Sequence, residues 1–337
     1  MVGDSLHPVG AGYGEGMSAG RSSDLARGLT LALASAAAFG LSGPLATGLL
    51  RSGWSPLAAV LVRACLGAVV LLVPALRALN GRWDLIRRNW VMIVVYGVLA
   101  VAGAQLAYFV AVSYLPVAQA LMIEYQSPVA IMLLLWLVKG HRPTRLSAVG
   151  ALGAMAGLML VLNAADGLSG LDLRGVAWAL LSLVGAVVYF LLSARSSNGL
   201  PPLVLAGSGL AVGSVFMALV AVSGLLPVAA TTAPAEYMGV EVPWWVPILV
   251  LGVVTAGLPY VLGITGVRLL GSRLASFVGL AEVLFATAFS ALLVGQMLTP
   301  AQFVGAGLVV VGTVLVKAGE RSPADLPVEP VSEAVAD

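Results

Sequence analysis

Charged residues are scarce in this sequence, and their scarcity narrows the class of protein before any motif is considered. Asp, Glu, Lys and Arg make up 9% of the 337 residues, against about a quarter in average soluble proteins. The formal net charge of +2 is too small to indicate a nucleic-acid partner. A mean hydropathy of +1.03 instead indicates a chain that crosses a lipid bilayer several times.

Cysteine, histidine and bulky aromatic residues are also few. The single cysteine, Cys65, excludes an intrachain disulfide, and with the isolated His7 and His141 it provides no set of metal ligands. The sequence contains no HExxH, GxSxG or Walker motif, which argues against an enzyme and against an ATP-driven pump. We therefore expect no cofactor. The 40 glycines against eight phenylalanines predict helices that pack closely through small residues.

Ten apolar segments are long enough to span a bilayer as helices. They cover residues 28–49, 57–76, 90–113, 117–138, 145–163, 173–193, 202–224, 245–267, 274–294 and 299–317. Residues 1–27 and the acidic residues 319–337 are expected to be disordered cytoplasmic tails. The N-terminal stretch lacks the charged start and apolar core of a signal peptide.

The distribution of basic residues predicts the orientation of these spans. If both termini are cytoplasmic, 14 of the 17 Lys and Arg residues fall on the cytoplasmic side, two fall outside and one lies within a span. Such an asymmetry follows the positive-inside rule. We expect a multi-pass protein of the cytoplasmic membrane, embedded in the lipid bilayer, with both termini in the cytoplasm.

The two halves of the chain repeat one another. Residues 27–35 (RGLTLALAS) are similar to residues 174–182 (RGVAWALLS), and GAQLAY, which ends at Tyr108, is similar to AGLPY, which ends at Tyr260. Each half holds five predicted spans, so the second half enters the membrane in the opposite orientation. Inverted repeats of this kind are typical of secondary transporters, whose substrate site lies between the repeats.

The glycine-rich last spans of the two halves carry a family resemblance. Their sequences are VGALGAMAGLMLVL from Val149 and VGAGLVVVGTVLV from Val304. Over residues 27–318 the chain resembles the EamA-type branch of the drug/metabolite transporter superfamily. The resemblance implies an all-α membrane protein of ten transmembrane helices, arranged as two inverted five-helix repeats, residues 28–163 and 173–318, around a central cavity. It also implies alternating access and transport, often export, of amino acids, other small metabolites or drugs.

Two carboxylic acids interrupt apolar spans, where a charge is costly unless it faces a partner, a water-filled cavity or a substrate. Glu124 lies about 10 Å from the outer end of the fourth span, at a rise of 1.5 Å per residue. Glu282 lies in the inner third of the ninth span. Burial favours the neutral form of a carboxyl group. We therefore predict that Glu282 and Glu124 carry protons, each exposed to one side of the membrane in one state.

Further polar residues are predicted to bind substrate together with Glu124. Arg63, Gln105 and Tyr108 share its estimated depth, and we predict that Arg63 pairs with Glu124 directly or through water or substrate. A purely structural ion pair is the alternative. The other predicted cavity residues are Tyr260, Trp178, Gln119, Tyr125, Gln126 and Tyr189.

Proline and glycine positions add predictions about helix shape and packing. Pro44, Pro128 and Pro259 lie inside spans and are predicted to kink them. Gly153 and Gly157 form a GxxxG pair in the fifth span. This pair predicts close packing, either within the half or between the protomers of a homodimer.

These features favour a secondary transporter of a small polar or amphipathic metabolite, amino acid-like or drug-like, that works by export, with proton coupling as the first expectation. One alternative is a membrane scaffold or binding protein whose polar residues serve folding alone. The other is a membrane enzyme acting on a lipid-linked substrate. A cavity lined by Glu124 and Glu282 would favour transport, and a catalytic constellation at headgroup level would favour the enzyme.

Overall fold

The structure is a computed structural model that describes residues 12–111, 114, 117–140, 142–161, 172–195, 199–295 and 299–319. The described residues of the first half form α1 (Gly12–Gly40), α2 (Ser42–Arg51), α3 (Pro56–Leu79), α4 (Trp83–Val95), α5 (Ala104–Ala111), α6 (Val117–Glu124), α7 (Ser127–Lys139) and α8 (Arg145–Val161). Those of the second half form α9 (Leu173–Ser193), α10 (Pro202–Val222), β1 (Ala235–Tyr237), β2 (Val240–Val242), α11 (Trp245–Gly252), α12 (Leu258–Leu270), α13 (Ser272–Gly279), α14 (Ala281–Val294) and α15 (Pro300–Ala318). Two π-helical segments, Tyr96–Gly103 and Val253–Gly257, join α4 to α5 and α11 to α12.

Eight helical stretches within the described ranges are long and apolar enough to cross a membrane. Each of them overlaps one of the predicted spans. The two remaining predicted spans fall on shorter apolar helices, Ser127–Val138 and Arg145–Val161. A helical, multi-pass membrane chain is therefore confirmed, whereas the count of ten spans stays a prediction.

Helix α1 begins well before the first predicted span. It starts at Gly12, so residues 12–27, which we expected to be disordered, are helical in the structure. A helix that is already nucleated extends at little cost per residue, and this polar stretch continues directly into the apolar part of α1. The predicted acidic tail lies outside the described residues from residue 320 onward, as do residues 1–11.

The predicted proline kinks coincide with interruptions of the helices. Helices α1 and α2 are separated at Leu41, three residues before Pro44. Helix α7 begins one residue before Pro128, and α12 begins one residue before Pro259. Because proline lacks an N–H group and its ring displaces the carbonyl of the preceding turn, a continuous α-helix is disfavoured at these points.

Helices α8 and α15 pack against each other through glycines and run antiparallel. A Cβ atom on Gly157 would lie 2.5 Å from the carbonyl oxygen of Gly305, and one on Gly150 would lie 2.7 Å from that of Gly312. Gly153 does not take part, contrary to our prediction, because a Cβ atom there would meet no described atom within 4 Å. Positions 150 and 157 are about two turns apart and share a face. A homodimer through Gly153 stays a prediction.

Equivalent serines of the two halves make equivalent hydrogen bonds to the opposite half. Ser35 in α1 donates to the carbonyl oxygen of Pro259 at 2.8 Å. Ser182 in α9, its counterpart in the repeat, donates to the carbonyl oxygen of Ala104 at 2.9 Å. Helix α1 therefore packs on α12 as α9 packs on α5, and α3 packs on α10 between them. The packing thus joins each half to the other.

A short hairpin, which the sequence did not lead us to predict, lies between α10 and α11. Its turn residues Met238 and Gly239 have φ angles of 51° and 76°, as a tight two-residue hairpin turn requires. The hydroxyl of Tyr237 donates to the carbonyl oxygen of Leu45 at 2.6 Å. Burial raises the pKa of Tyr237 to about 12, so this donor stays protonated at physiological pH.

The two ends of the helix bundle differ in character. The hairpin end comprises residues 52–55 and 235–242. The opposite end, which we call the arginine end, comprises residues 79–83, 193–195 and 268–273, which include the four arginines Arg82, Arg195, Arg268 and Arg273.

Candidate substrate cavity

A cavity of about 130 Å³ lies between the two halves. It reaches from the middle of the bundle toward the arginine end, because its wall includes Tyr189, Val267 and Ser276. A space of this size holds several water molecules at about 10–15 Å³ each. The polar and acidic side chains on the wall are Ser35, Gln105, Glu124, Tyr125, Ser127, Tyr189, Tyr260, Ser276 and Glu282.

The two acids reach this cavity from equivalent broken spans. Glu124 is the last residue of α6, and the helix is interrupted at Tyr125 and Gln126 before α7 begins at Ser127. Glu282 is the second residue of α14, directly after a break at Leu280. Tyr125 and Leu280 correspond in the repeat, as do Ser127 and Glu282. Broken helices at membrane depth are tolerated where they line a cavity, and transporters often bind substrate at such breaks.

Glu124 and Glu282 share one cavity, which corrects the prediction that they occupy opposite depths. The two carboxyl groups are close enough to interact electrostatically. Our depth estimates assumed continuous helices that start at the predicted boundaries. Each span is broken beside its acid, and both acids line the same cavity, so neither is reserved for one end of the bundle in this structure.

The two acids have different hydrogen-bonding neighbours. Glu282 interacts with the hydroxyl group of Tyr125 through a side-chain hydrogen bond. Glu124 interacts with the hydroxyl group of Ser182. Ser182 already donates its proton to the carbonyl oxygen of Ala104 at 2.9 Å. Its single hydroxyl proton is thus shared between two acceptors, whereas Tyr125 offers Glu282 a proton donor.

Arg63 makes no direct ion pair with Glu124 among the described contacts, so the direct form of our prediction is wrong, while pairing through water or substrate stays a prediction. Its Nε atom donates to Thr255 Oγ1 at 3.1 Å, and its Nη1 atom donates to Gln105 Oε1 at 2.5 Å. Nη2 donates to the carbonyl oxygen of Thr255. The carboxylate with which the guanidinium interacts electrostatically is that of Glu282. Arg63 is buried and borders a small pocket beside the cavity rather than the cavity itself.

Arg63 connects the two π-helical spans. Thr255 belongs to the π-helical segment Val253–Gly257, and Gln105 follows the segment Tyr96–Gly103 by two residues. These segments occupy equivalent positions in the two halves, and π-helical turns are frequent at functional sites. A single side chain of α3 therefore ties both irregular spans together beside the cavity.

Aromatic rings form the apolar part of the wall. Tyr260 packs edge-on against Phe39, with ring centroids 5.2 Å apart, and against Tyr189 at 6.0 Å. Tyr189 also packs against Phe190 at 5.0 Å. Gly263 allows the approach of Tyr189, because a Cβ atom on Gly263 would lie 2.0 Å from the tyrosine hydroxyl. The cavity therefore combines carboxyl groups with aromatic faces.

The remaining predicted residues are distributed unevenly. Gln105 and Tyr260 lie on the wall as predicted, and Tyr108 lies behind it, packed against Phe109 with centroids 5.6 Å apart. Trp178 is 38% exposed on the outside of α9, so its predicted place in the cavity is wrong. The side chain of Gln119 lies outside what the structure describes.

Some cavity residues were not predicted. Ser35 and Phe39 of α1 and Gly263 of α12 lie on the wall. Ser35 could have been found, because it ends the repeated segment RGLTLALAS. Phe39 and Gly263 carry no polar signal that separates them from packing residues. Among the described residues, no group of three or more His, Cys, Asp or Glu side chains could hold a metal ion.

Comparisons with known proteins identify solved structures with a similar fold and the family to which the chain belongs. Comparison with curated proteins finds no match for the chain. Among solved structures 29 chains match; one, described only as the crystal structure of a protein, superposes with a TM-score of 0.70 at 22% identity, over 89% of this chain and 100% of its own. That likeness supports the fold alone. A profile of the EamA-like transporter family matches residues 26–163 and 173–318, once for each half. The chain therefore belongs to the EamA-like transporter family, a family of membrane transporters.

Proposed function

We propose that this protein is a secondary transporter that moves a small polar or amphipathic metabolite across the cytoplasmic membrane by alternating access. One observation carries the proposal. A cavity lies between the two halves, and each half contributes one carboxylic acid to it from an equivalent broken span. A scaffold needs no such cavity, so its presence favours transport over a purely structural role. The outward direction of transport rests on the family resemblance.

The proposal includes ten spans in two inverted repeats. The antiparallel contact of α8 with α15 supports it, since Gly150 meets Gly312 while Gly157 meets Gly305. In the repeat, Gly150 corresponds to Gly305 and Gly157 to Gly312. Exchanging the halves therefore maps this contact onto itself, as a two-fold axis in the membrane plane would. The arginine end then faces the cytoplasm.

Proton coupling through Glu124 and Glu282 is the proposed source of energy. Two carboxylates that interact in one cavity repel each other, so binding a proton at one of them relieves the repulsion. Among the described residues no cation acts on Glu124, so its ionised form has less support than that of Glu282. The donor Tyr125 and the cation Arg63 match an ionised Glu282. We infer that Glu124 takes up the proton and that Glu282 holds the charge.

The experiment compares metabolites released by cells that overproduce wild-type protein or single variants. Glu124→Gln and Glu282→Gln each remove one acid, and Glu236→Gln, on the exposed hairpin, is the matched control. We expect a metabolite to accumulate in the medium with wild type and with the control. The two cavity variants should reduce its release at equal protein amounts, and a protonophore should abolish it. Equal release from wild type and from cells without the protein would contradict the proposal.

A further inference from the structure

The cavity between the two halves is lined by acidic side chains and by no basic ones. Glu124 and Glu282 are both half-buried on its wall. None of the other described residues on the wall is Lys, Arg or His. A cleft that carries charges of one sign within apolar walls concentrates ions of the opposite sign. The lining of the cavity therefore favours a cation over an anion.

Arg63 is the cation that acts on this cavity, but it lies off the cavity wall. It borders the small pocket beside the cavity, and its three nitrogen atoms donate to Thr255 and Gln105. Its charge acts on Glu282, whereas no described cation acts on Glu124. Arg63 therefore offsets part of the charge of Glu282 and leaves Glu124 without a counter-ion.

The two cavity acids also lack ion-pair partners. Neither Glu124 nor Glu282 forms an ion pair with a Lys or Arg side chain within the described ranges. Two ionised carboxylates in one apolar cavity repel each other, and an opposite charge nearby relieves this cost. Carboxylates within a membrane commonly serve as counter-ions of a bound ligand. A cationic group of a ligand would stabilise the ionised form of Glu124 in this way.

The rest of the wall suits an organic cation better than a metal ion. It includes the aromatic rings of Phe39, Tyr189, Phe190 and Tyr260 and several alanines. The faces of aromatic rings attract ammonium groups, and the small alanine side chains leave room for the apolar part of a ligand. A divalent metal ion requires more oxygen ligands than two acids provide. Among the described residues, no group of three His, Cys, Asp or Glu side chains could hold one.

We propose that this cavity binds an organic amine: a ligand with an ammonium group held by Glu124, an aromatic or other apolar body packed against the rings of the wall, and no carboxylate. An amino acid has the same ammonium group, but its carboxylate would enter an acidic cavity with no basic side chain on the described wall to pair with it. This inference rests on the proposed function, because it names the substrate class of the transport cavity.

The test is a binding measurement with four probes that share a phenyl ring on a two-carbon chain. Phenethylamine adds an ammonium group to the chain, 3-phenylpropionate a carboxylate, phenylalanine both groups and 2-phenylethanol an uncharged hydroxyl. Equilibrium dialysis uses the purified protein in neutral detergent and a mildly alkaline buffer, in which an alkylamine with a pKa of about 10 keeps its charge. We expect saturable binding of phenethylamine, with each of the other three probes about tenfold weaker or more, since a hydrogen bond between charged groups is worth at least one such factor.

Variants separate the contribution of charge from that of the aromatic rings. Glu124→Gln should weaken phenethylamine about tenfold or more and leave 2-phenylethanol unchanged, whereas Glu124→Asp, which keeps the charge, should retain more of the affinity. Phe190→Leu should weaken both probes alike, because it removes a ring and no charge. Glu236→Gln, on the exposed hairpin, is the matched control and should bind all probes as wild type does.

Three results would overturn the proposal: no saturable binding of phenethylamine, binding of any of the other three probes that is as tight, or a phenethylamine affinity that Glu124→Gln leaves intact. The probe series on wild-type protein decides the matter even where a variant fails to fold. Because the assay involves no transport, these results would leave the transport proposal standing with another substrate. Amine binding by a protein whose cells release no more metabolite than cells without it would instead keep the amine site and refute transport.

Discussion

Arg63 illustrates how a buried cation is accommodated within an apolar bundle. Its guanidinium group is satisfied by Thr255 and Gln105, lies 5.9 Å from the ring centroid of Phe39 and interacts with the charge of Glu282. Hydrogen bonds of this kind make a buried charge tolerable without a direct ion pair. We therefore interpret Arg63 as a residue that positions the two π-helical spans.

A double-mutant cycle tests this interpretation. Arg63→Gln should lower the free energy of unfolding by about 3 kcal/mol, the range of one or two hydrogen bonds to a charged group. Combined with Glu282→Gln it should be non-additive, because the two charges interact. Combined with Glu124→Gln it should be additive within about 0.5 kcal/mol. Chemical unfolding in detergent gives these values.

The surface pair of Arg88 and Asp84, 3.8 Å apart, supplies the control for this cycle. Arg88→Gln should change stability by less than about 1 kcal/mol, as exposed pairs do. A coupling energy between Arg63 and Glu124 that is larger than the one between Arg63 and Glu282 would contradict the structure. It would instead support the direct Arg63–Glu124 pair predicted from the sequence.

The sequence indicated which polar residues need a cavity or a partner, but neither their depth in broken spans nor their direction around the helix could be read from it. Glu124, Gln105 and Tyr260 lie on the cavity wall, as expected of polar groups in apolar spans, which need a cavity or a partner; their part in substrate binding stays a prediction. Trp178 was misplaced because an aromatic residue suits lipid and cavity equally well. The partners of Arg63 depend on long-range packing of α3 against the second half, which no local pattern encodes.

Among the helices and strands, the points where helices are interrupted shape the cavity more than the helix lengths do, because both acids lie beside such points. Proline positions predicted three of them, at Pro44, Pro128 and Pro259, because the cause is local. The break at Leu280 has no proline, and only its match with Tyr125 in the repeat would have indicated it. The hairpin was missed because its strands have three residues each, and its turn begins with Met238 rather than a typical turn residue.

The contact of α8 with α15 yields a prediction about single glycines. Gly157→Ala and Gly305→Ala each place a methyl group within 2.6 Å of a backbone oxygen. Overpacking of this kind costs about 1–3 kcal/mol. Gly153→Ala, on the open side of the same helix, should be neutral or slightly stabilising, because alanine favours the helix.

Unfolding temperatures of the purified variants, compared at equal detergent concentration, check this prediction. A loss for Gly153→Ala as large as that for Gly157→Ala would instead indicate that the GxxxG face predicted from the sequence is buried, either within the chain or in a homodimer.

For the whole molecule, the repeat implies a defined orientation in the membrane. The ten spans that we propose would place both termini on the same side, and the distribution of Lys and Arg predicts that this side is the cytoplasm. Fusions of a fluorescent reporter and of a periplasmic phosphatase to each terminus should therefore show fluorescence and no phosphatase activity. Phosphatase activity at either end would rule out the ten-span arrangement.

The helical membrane fold, the presence of two similar halves and the family were predictable from the sequence, because hydropathy and internal similarity extend over the whole chain. The cavity between the halves was predictable only as a place, since inverted repeats put their site at the interface. That Glu124 and Glu282 line the same cavity could be seen only in the structure. The cavity forms where α1 packs on α12 and α9 packs on α5.

Alternating access requires this cavity to open to each side of the membrane in turn, and thiol labelling from each side measures that opening. Cys65 is exposed, so Cys65→Ser provides the background, and Ser127→Cys introduces one thiol on the cavity wall. A membrane-impermeant maleimide is added to right-side-out or to inside-out vesicles. We predict labelling from both sides, with the Cys65→Ser background unlabelled. Labelling from one side alone, with no change when the proton gradient is reversed, would contradict alternating access.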